Sequence, residues 1–279
     1  MMINKDSLTN RVKHLSEIKG VPSNVILQNY FFDAFLKRLS KSKYSKKFIF
    51  KGGFLLSTKL GIDFRSTMDI DFLLKNISLS KENVVTMIKE ITSIKIDDEI
   101  IFTFKGIQKI KQEDKYGGYS VSLLGTLENI RVTVNIDIAT GDPMTPDAII
   151  YDYHCMFDNE VLHFASYNYE TIVAEKLETI LTRGLGNSRS KDFYDLFIIY
   201  KLRWEEINKN TLKKAFYNTC SYRQSNFTKD DAFVIINDIH NNKIVVSRWE
   251  LYKKKNKYVG DVLFDSVIDS ITKIIIDIL

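Results

Sequence analysis

The chain has 279 residues, enough for about two domains or one large domain with a core of its own. Apolar residues make up 44% of the chain, and it holds only 12 Gly and 3 Pro, which excludes a disordered or fibrous protein. Its net charge of +5 makes it mildly basic. This charge permits a phosphate-bearing partner, but a composition rich in Lys, Ile and Asn also follows from an AT-rich genome, which explains the charge equally well.

The cysteine content and the lack of long apolar runs limit where the protein works. Cys155 and Cys220 stand in unlike surroundings, without a C-x-x-C motif or a His at metal-binding spacing, so the sequence indicates neither a disulfide framework nor a zinc site. Neither an apolar leader nor a run long enough to cross a membrane is present in the sequence. We therefore expect a cytoplasmic protein without membrane association.

The first part of the chain alternates helical and strand patterns. Apolar residues recur at three- and four-residue steps after Pro22, which predicts an amphipathic helix. The apolar run 48–50 leads into Gly52-Gly53, a strand followed by a turn, and a short helical stretch comes next. Residues 68–75 then alternate with period two, which predicts another strand with its acidic side chains on one face.

The middle and last parts of the chain differ in pattern. Residues 80–93 have a helical period, and three β-rich runs follow at 99–111, 117–126 and 130–138, which predicts an antiparallel meander. A loop with Pro143 and Pro146 ends this part, and from about Tyr167 onward the chain reads as successive amphipathic helices. We predict an α+β fold, with a mixed β-sheet and flanking helices in domain 1–145 and a mainly helical bundle in domain 146–279.

Two carboxylates form the first candidate site. Asp69 and Asp71 are one residue apart on a predicted strand, so both emerge on one face and can converge on one cation. Two neighbouring carboxylates repel each other without a cation, whereas Mg²⁺ takes hard oxygen ligands and shares them with phosphates. Alternating acids on a strand are also typical of a solvated face, and the D-x-D pattern alone leaves both interpretations open.

The surroundings of the D-x-D pattern favour a ligand site. Gly52-Gly53 lies at a strand-to-helix turn, where the backbone can approach a phosphate and helix N–H groups can bind it. On the later strand, Asp137 stands on a polar face and could supply a third carboxylate. Three acids could hold two metal ions that activate an attacking oxygen and stabilise a leaving pyrophosphate. A polar edge-strand face is the alternative interpretation of Asp137.

These residues resemble the nucleotidyltransferase toxins of the AbiEii/AbiGii family, relatives of the polymerase-β-like minimal nucleotidyltransferases. The resemblance runs from Val25 to about Leu196. The family pattern K-G-G-T/S-x-L followed by R-x-S/T-x-D-h-D is matched at Lys51, Gly52, Gly53, Leu55, Arg65, Thr67, Asp69 and Asp71. Phe54 departs from the pattern. A hydroxyl residue is usual at this position, where it would contact the nucleotide phosphates, so in this chain the backbone would have to make that contact.

A later family motif carries further site residues. It maps onto Glu175-Lys176-Leu177, Arg183, Arg189, Lys191, Asp192 and Asp195. Lys176 and Arg183 lie seven residues apart, on one helix face, and could present two cations to a triphosphate. Asp192 and Asp195 share a face too, and the sequence leaves open which of them is functional. Exposed charge pairs on a helix are the alternative explanation of these spacings.

The resemblance implies a function and a set of roles. Its motifs imply Asp69 and Asp71 as metal ligands, and the polar face of the later strand adds Asp137, which would complete the metal site or act as base. The candidate catalytic residues are these three with Lys176, Asp192 and Asp195, and the candidate nucleotide-binding residues are Lys51, Gly52, Gly53, Arg65, Thr67, Lys176, Arg183 and Arg189. The chain would be the toxin of a bacterial toxin–antitoxin or abortive-infection system, with Mg²⁺ (or Mn²⁺) as its cofactor. It would transfer a nucleoside monophosphate from an NTP, with GTP suspected, to an acceptor such as tRNA. Its antitoxin would be a separate DNA-binding protein that need not contact the toxin.

Other functions remain compatible with the sequence. The same scaffold could support protein phosphorylation or AMPylation, because residues that bind an NTP do not reveal which acceptor receives the transferred group. A non-enzymatic module that binds RNA or a partner, with a vestigial NTP site, is the second alternative, and Phe54 is its support. The basic run Lys253-Lys254-Lys255 with Lys257 stands beside aromatic residues, which is typical of an RNA-binding surface and equally of a solvated helix face.

Overall fold

A computed structural model describes residues 4–110, 117–141 and 143–279 of the chain. These residues divide into two compact units, the first within the ranges Met1–Gly141 and Ile149–Ser166 and the second within Asp142–Ala148 and Tyr167–Leu279. The predicted division into domains at 145/146 stays a prediction. The units differ from it in that residues 149–166, which lie beyond that boundary, form strands of the first unit.

The first unit holds a mixed sheet with flanking helices. Its elements are α1 (Lys5–Lys19), α2 (Ser23–Lys41), β1 (Phe48–Lys51), α3 (Gly52–Leu60), β2 (Asp69–Leu74), α4 (Lys81–Thr92), β3 (Ile101–Ile110), β4 (Gly118–Leu127), β5 (Ile130–Ala139), β6 (Ile149–His154) and β7 (Val161–Ser166). Within the described residues, the strands form one seven-stranded sheet in the order β3-β4-β5-β2-β1-β7-β6. β2 pairs parallel with β5 and β1 pairs parallel with β7, and the other neighbours are antiparallel.

The core of this unit is aromatic. Along β1 and β2, Phe48, Phe50 and Phe72 are buried, and the ring of Phe72 contacts those of Phe48 and Phe50. Helix α2 packs against β5 and β7 and is buried over most of its length, with Phe31 and Phe35 fully inside. Because alternate strand residues point to opposite faces, burial of these apolar residues leaves the acidic residues of β2 on the other face.

The second unit is helical. It contains α5 (Tyr169–Arg183), α6 (Ser190–Arg203), α7 (Lys209–Arg223), α8 (Lys229–Asn241), α9 (Lys243–Lys255) and α10 (Phe264–Ile278). Side-chain caps begin several of them: Asn168 accepts a hydrogen bond from the backbone N–H of Thr171, and Thr228 forms a capping box with Asp231. α10 turns an isoleucine-rich face toward α6, α7 and α8, as its apolar periodicity requires.

The fold confirms the predicted class and most of the predicted elements. The helix after Pro22, the strand before Gly52, the strand at 68–75 and the antiparallel meander are all present, although residue 111 of the first β-rich run lies outside the described residues. Helix α1 and the β6–β7 hairpin were not predicted from the sequence. In the part of the chain that the structure describes, no helix is both long and apolar enough to cross a bilayer, and the cytoplasmic location stays a prediction.

Candidate active site

Strands β2 and β5 place the predicted carboxylates side by side. In β2, Asp69 and Asp71 are half-buried and alternate with the buried Ile70 and Phe72. β5 runs parallel to β2, with Asn135 opposite Asp69 and Asp137 opposite Asp71. Paired residues on neighbouring strands share a face of the sheet, so all four side chains belong to one polar face.

The turn from β1 into α3 lies against this face. The backbone N–H of Gly53 donates a hydrogen bond to Oδ2 of Asp71 at 3.2 Å. Gly52 has φ of +73°, and a Cβ built on it would lie 2.0 Å from the same oxygen. Only glycine therefore allows both the left-handed backbone and the approach of Asp71 to the first turn of α3.

Three further predicted residues surround this turn. Lys51 ends β1 in register with Asp71. Arg65 is buried, and its guanidinium donates a hydrogen bond to the backbone carbonyl of Ser66. Arg65 and Thr67 both lie close to Gly53, since a Cβ built on this glycine would be 3.1 Å from Nη2 of Arg65 and 3.4 Å from Oγ1 of Thr67. The structure thus brings together Lys51, Gly52, Gly53, Arg65, Thr67, Asp69, Asp71 and Asp137 within the first unit.

Phe54, which departs from the family pattern, points into the core. It is 1% exposed, and its ring contacts those of Phe32, Phe50 and Tyr153. A side chain in this position makes no contact with a ligand at the turn. A phosphate bound at the start of α3 would therefore have to contact backbone N–H groups, and this role stays a prediction.

The donor set fits a hard cation that shares its ligands with a substrate. Within residues 4–110, 117–141 and 143–279, no group of three or more His, Cys, Asp or Glu side chains is arranged as a ready metal cage. Mg²⁺, however, is usually held by one or two carboxylates together with substrate phosphates and water. Asp69, Asp71 and Asp137 offer such oxygens beside a helix N-terminus, and their roles as metal ligands stay predictions.

In the second unit, Lys176 on α5 lies between two buried carboxylates of α6. Its Nζ is 3.0 Å from Oδ1 of Asp192 and 2.6 Å from Oδ2 of Asp195. Nε of Arg189 lies 2.7 Å from the other oxygen of Asp192. The sequence spacing correctly placed both aspartates on one face of α6, and the structure shows that Lys176 engages both of them.

The charges of this cluster compensate one another. Burial alone would raise the pKa of Asp192, but the neighbouring charges of Lys176 and Arg189 and their hydrogen bonds outweigh burial and hold that pKa well below its usual range. Lys176 and Arg189 thus balance two buried carboxylates. Arg183, seven residues after Lys176, is the last residue of α5 and is half-buried.

One residue of the polar face received no role from the sequence. Only the parallel pairing of β2 with β5 shows that Asn135 lies opposite Asp69. Its side-chain amide donates to Oδ1 of Asp69 at 3.3 Å. Asn135 and Asp137 form an N-x-D pattern with the same spacing as the D-x-D pattern of β2. This shared spacing is the sequence signal that could have identified Asn135 as a site residue.

Comparisons with solved structures agree with this fold. Two H. pylori crystal structures share the fold: a candidate nucleotidyltransferase, with 17% identity, a TM-score of 0.54 and coverage of 90% of this chain and 92% of that one, and JHP933, with 17% identity, a TM-score of 0.53 and coverage of 90% of each chain. At this identity the likeness establishes the fold alone. No curated protein matches the chain significantly.

The family assignment comes from a sequence profile. The profile of the nucleotidyl transferase AbiEii toxin of type IV toxin–antitoxin systems matches residues 34–265, most of the chain. The match includes the polar face of the sheet, the glycine turn and the Lys176 cluster, and it confirms the family predicted from the motifs. The chain therefore belongs to the AbiEii family of nucleotidyltransferase toxins.

Proposed function

We propose that this toxin transfers a nucleoside monophosphate from an NTP to an acceptor hydroxyl and releases pyrophosphate, with Mg²⁺ or Mn²⁺ as cofactor. The observation that carries the proposal is the register of β2 with β5, which sets Asp71 beside Asp137 at the glycine turn. When bound, the metal supplies charge stabilisation for the attacking and leaving oxygens. Asp69, Asp71 and Asp137 are the residues that would hold it.

The chain's own groups account for the remaining steps. Asp137 completes the carboxylate set or accepts the proton of the acceptor hydroxyl. The first-turn N–H groups of α3 bind phosphate oxygens, with Lys51, Arg65 and Thr67 as further nucleotide-binding residues. In the second unit we assign Lys176, Arg183 and Arg189 to the triphosphate charge. Positioning and charge stabilisation suffice for such a transfer, because the protein forms no covalent intermediate.

The substrates and partners of the proposal follow from the family. A type IV toxin implies an antitoxin and an NTP substrate. We propose GTP as the donor and an RNA, tRNA in particular, as the acceptor. The antitoxin is proposed to be a separate DNA-binding protein that counteracts the toxin without direct contact, in a system that aborts phage infection.

Labelled nucleotides test the reaction. We expect label from [α-³²P]GTP, and none from [γ-³²P]GTP, to enter RNA from the host cell. Label from the γ-position in protein would show a kinase instead, label from the α-position in protein would show protein nucleotidylation (GMPylation with GTP, or AMPylation when [α-³²P]ATP is the donor), and no transfer with any of the four NTPs would show a binding module.

Two aspartate variants connect this reaction to the polar face. Asp69→Asn and Asp71→Asn remove one charge each but keep an oxygen that accepts the hydrogen bonds of Asn135 and Gly53. We expect both variants to fold with unchanged thermal unfolding, to lose transfer, and to lose growth inhibition. Toxicity that survives both substitutions would contradict the assignment of the metal ligands.

A further inference from the structure

The polar face of the sheet is a two-by-two array with one neutral member. β2 contributes Asp69 and Asp71, and β5 contributes Asn135 and Asp137 in register with them. Of these four, only Asn135 has a side chain that can donate a hydrogen bond when the carboxylates are ionised. It uses that donor on Asp69, with Nδ2 at 3.3 Å from Oδ1.

Each β2 carboxylate is thus held at one oxygen by a fixed donor. Gly53 N–H binds Oδ2 of Asp71, and the Asn135 amide binds Oδ1 of Asp69. A hydrogen bond to one oxygen of a carboxylate sets the rotation of the group and so directs its other oxygen. Partners of this kind orient metal ligands in proteins and tune the affinity for the metal.

The Asn135 side chain is not needed to hold its strand. β5 is paired along its whole length with β4 and along its second half with β2. The buried Gln28 also donates to the backbone carbonyl of Thr133 at 2.8 Å, which ties β5 to α2. Because these backbone contacts do not involve the Asn135 amide, its replacement should affect the polar face more than the fold.

We propose that Asn135 is a positioning residue that orients the carboxylate of Asp69 for metal binding. The inference rests on the proposed function, because it assigns a partner to one of the proposed metal ligands. A fourth acid at this place would bring another like charge into contact with Asp69 and remove the donor. The neutral amide therefore provides orientation without added repulsion.

The test measures metal binding directly as well as transfer. The variants are Asn135→Ala, which deletes the donor, Asn135→Asp, which keeps the size but replaces the donor by an acceptor, and Thr133→Ala as the control on the same strand and face. The concentration of free Mn²⁺ is followed by electron paramagnetic resonance, with Mn²⁺ alone and with Mn²⁺ plus α,β-methylene GTP. Transfer is measured at saturating Mn²⁺, and thermal unfolding is recorded for every variant.

We expect the three variants to differ in Mn²⁺ binding and in transfer but not in stability. Asn135→Ala should weaken Mn²⁺ binding by about 10- to 100-fold, which is typical when the partner of a metal ligand is removed. Asn135→Asp should transfer nucleotide more slowly than wild type at saturating Mn²⁺, although it carries one more carboxylate. Thr133→Ala should bind Mn²⁺ as wild type does, and all three variants should unfold at similar temperatures.

Two results would overturn the inference in distinguishable ways. If Asp69→Asn loses Mn²⁺ binding while Asn135→Ala and Asn135→Asp bind and transfer as wild type does, the inference fails and the proposed function stands. If wild type binds no Mn²⁺ and transfers nothing, and Asp69→Asn changes neither property, the proposed function fails and the inference fails with it.

Discussion

At the scale of single residues, Gly52 determines how closely Asp71 can approach α3. Its φ of +73° is unfavourable for any residue with a Cβ, and that Cβ would overlap the carboxylate of Asp71. The residue thus combines a backbone requirement with a close approach. An alanine substitution separates the two. Backbone strain alone should lower stability, whereas a displacement of Asp71 should lower the transfer rate as well.

We predict that Gly52→Ala lowers the transfer rate by about 100-fold, because a shift of roughly 1 Å in a catalytic group can cost that much. Its stability should fall by about 1–3 kcal/mol from the left-handed backbone and the overlap together. Transfer kinetics and thermal unfolding are the measurements.

Gly20→Ala is the matched control for this substitution. Gly20 ends α1 with φ of +63°, and a Cβ there would meet nothing within 4 Å. This variant should lose a similar backbone contribution to stability and keep its transfer rate. Equal transfer by Gly20→Ala and Gly52→Ala would show that Asp71 does not depend on the glycine.

At the scale of elements, Lys176 connects α5 to α6 through two carboxylates. Its side chain is 15% exposed, and the two carboxylates that it contacts are almost fully buried. Removing one partner of a buried ion pair leaves an uncompensated charge, which is more costly than removing the whole set. The lysine therefore has a structural role in addition to the role proposed for it at the triphosphate.

We predict that Lys176→Ala destabilises the protein by about 3 kcal/mol because Asp192 and Asp195 lose their shared cation. Adding Asp195→Asn to this variant should recover part of the unfolding temperature by removing one buried charge. Transfer should stay low in both variants, by about 100-fold or more, if Lys176 also stabilises charge in the reaction. Recovery of transfer together with stability would limit Lys176 to a structural role.

Helix α2 is joined to the β6–β7 hairpin through the buried carboxyl of Asp33. It accepts hydrogen bonds from the Tyr153 hydroxyl and from the backbone N–H of Met156, the latter at 2.7 Å. Burial raises the pKa of Asp33 to about 7, although both hydrogen bonds and the nearby Lys37 act in the opposite direction, and Asp158 adds to the rise. The folded state therefore retains a proton that the unfolded state releases near pH 4.

We predict that this carboxyl makes the protein less stable as pH rises from about 4 to 7, because over that range the unfolded state binds fewer protons than the folded state. Asp33→Asn should unfold with a flatter pH dependence than wild type. The exposed Asp238 of α8, changed to Asn, is the control and should leave the wild-type pH dependence in place. Parallel unfolding curves of wild type and Asp33→Asn across this range would contradict the raised pKa.

Local patterns predicted the elements better than they predicted which elements pair. The period of β2 and the position of Gly52 are local, so the sequence placed Asp69 and Asp71 on one face of a strand. The register of Asp69 with Asn135 joins residues that are 66 positions apart in the sequence, and it depends on which edge of β2 the strand β5 occupies. The β6–β7 hairpin was missed for a similar reason, because its place is set by partners such as Asp33 and β1.

At the scale of the whole molecule, a net charge of +5 attracts RNA only weakly. Binding of the proposed RNA acceptor should therefore depend on particular basic surfaces of the protein. The basic cluster, Lys253, Lys254, Lys255 and Lys257, closes α9 and begins the short turn after it. Its last three lysines are exposed, whereas the neighbouring Trp249 is buried.

The aromatic residues beside this cluster are engaged within the second unit. The hydroxyls of Tyr252 and Tyr258 are 2.7 Å apart, and the ring of Tyr194 contacts both rings. Rings packed in this way are poorly placed to stack on bases, which is how aromatic surfaces bind single strands. Any contribution of the cluster to RNA binding should therefore come from its lysines, through the phosphates of the RNA.

We predict that changing the four lysines of the basic cluster to Gln weakens RNA binding and reduces its salt dependence. Each neutralised phosphate contributes about −0.7 to the log–log slope for single strands and about −0.9 for duplex regions, so the slope should become shallower by one such step for each phosphate that is no longer neutralised. The apparent KM for RNA should rise and turnover at saturating RNA should change little, because the cluster supplies uniform binding. The matched control is the same change at Lys41, Lys43, Lys46 and Lys47, a basic run of the first unit, which lowers the net charge equally. If both quadruple variants shift the slope alike, RNA binding responds to net charge alone and the basic cluster is a solubilising face.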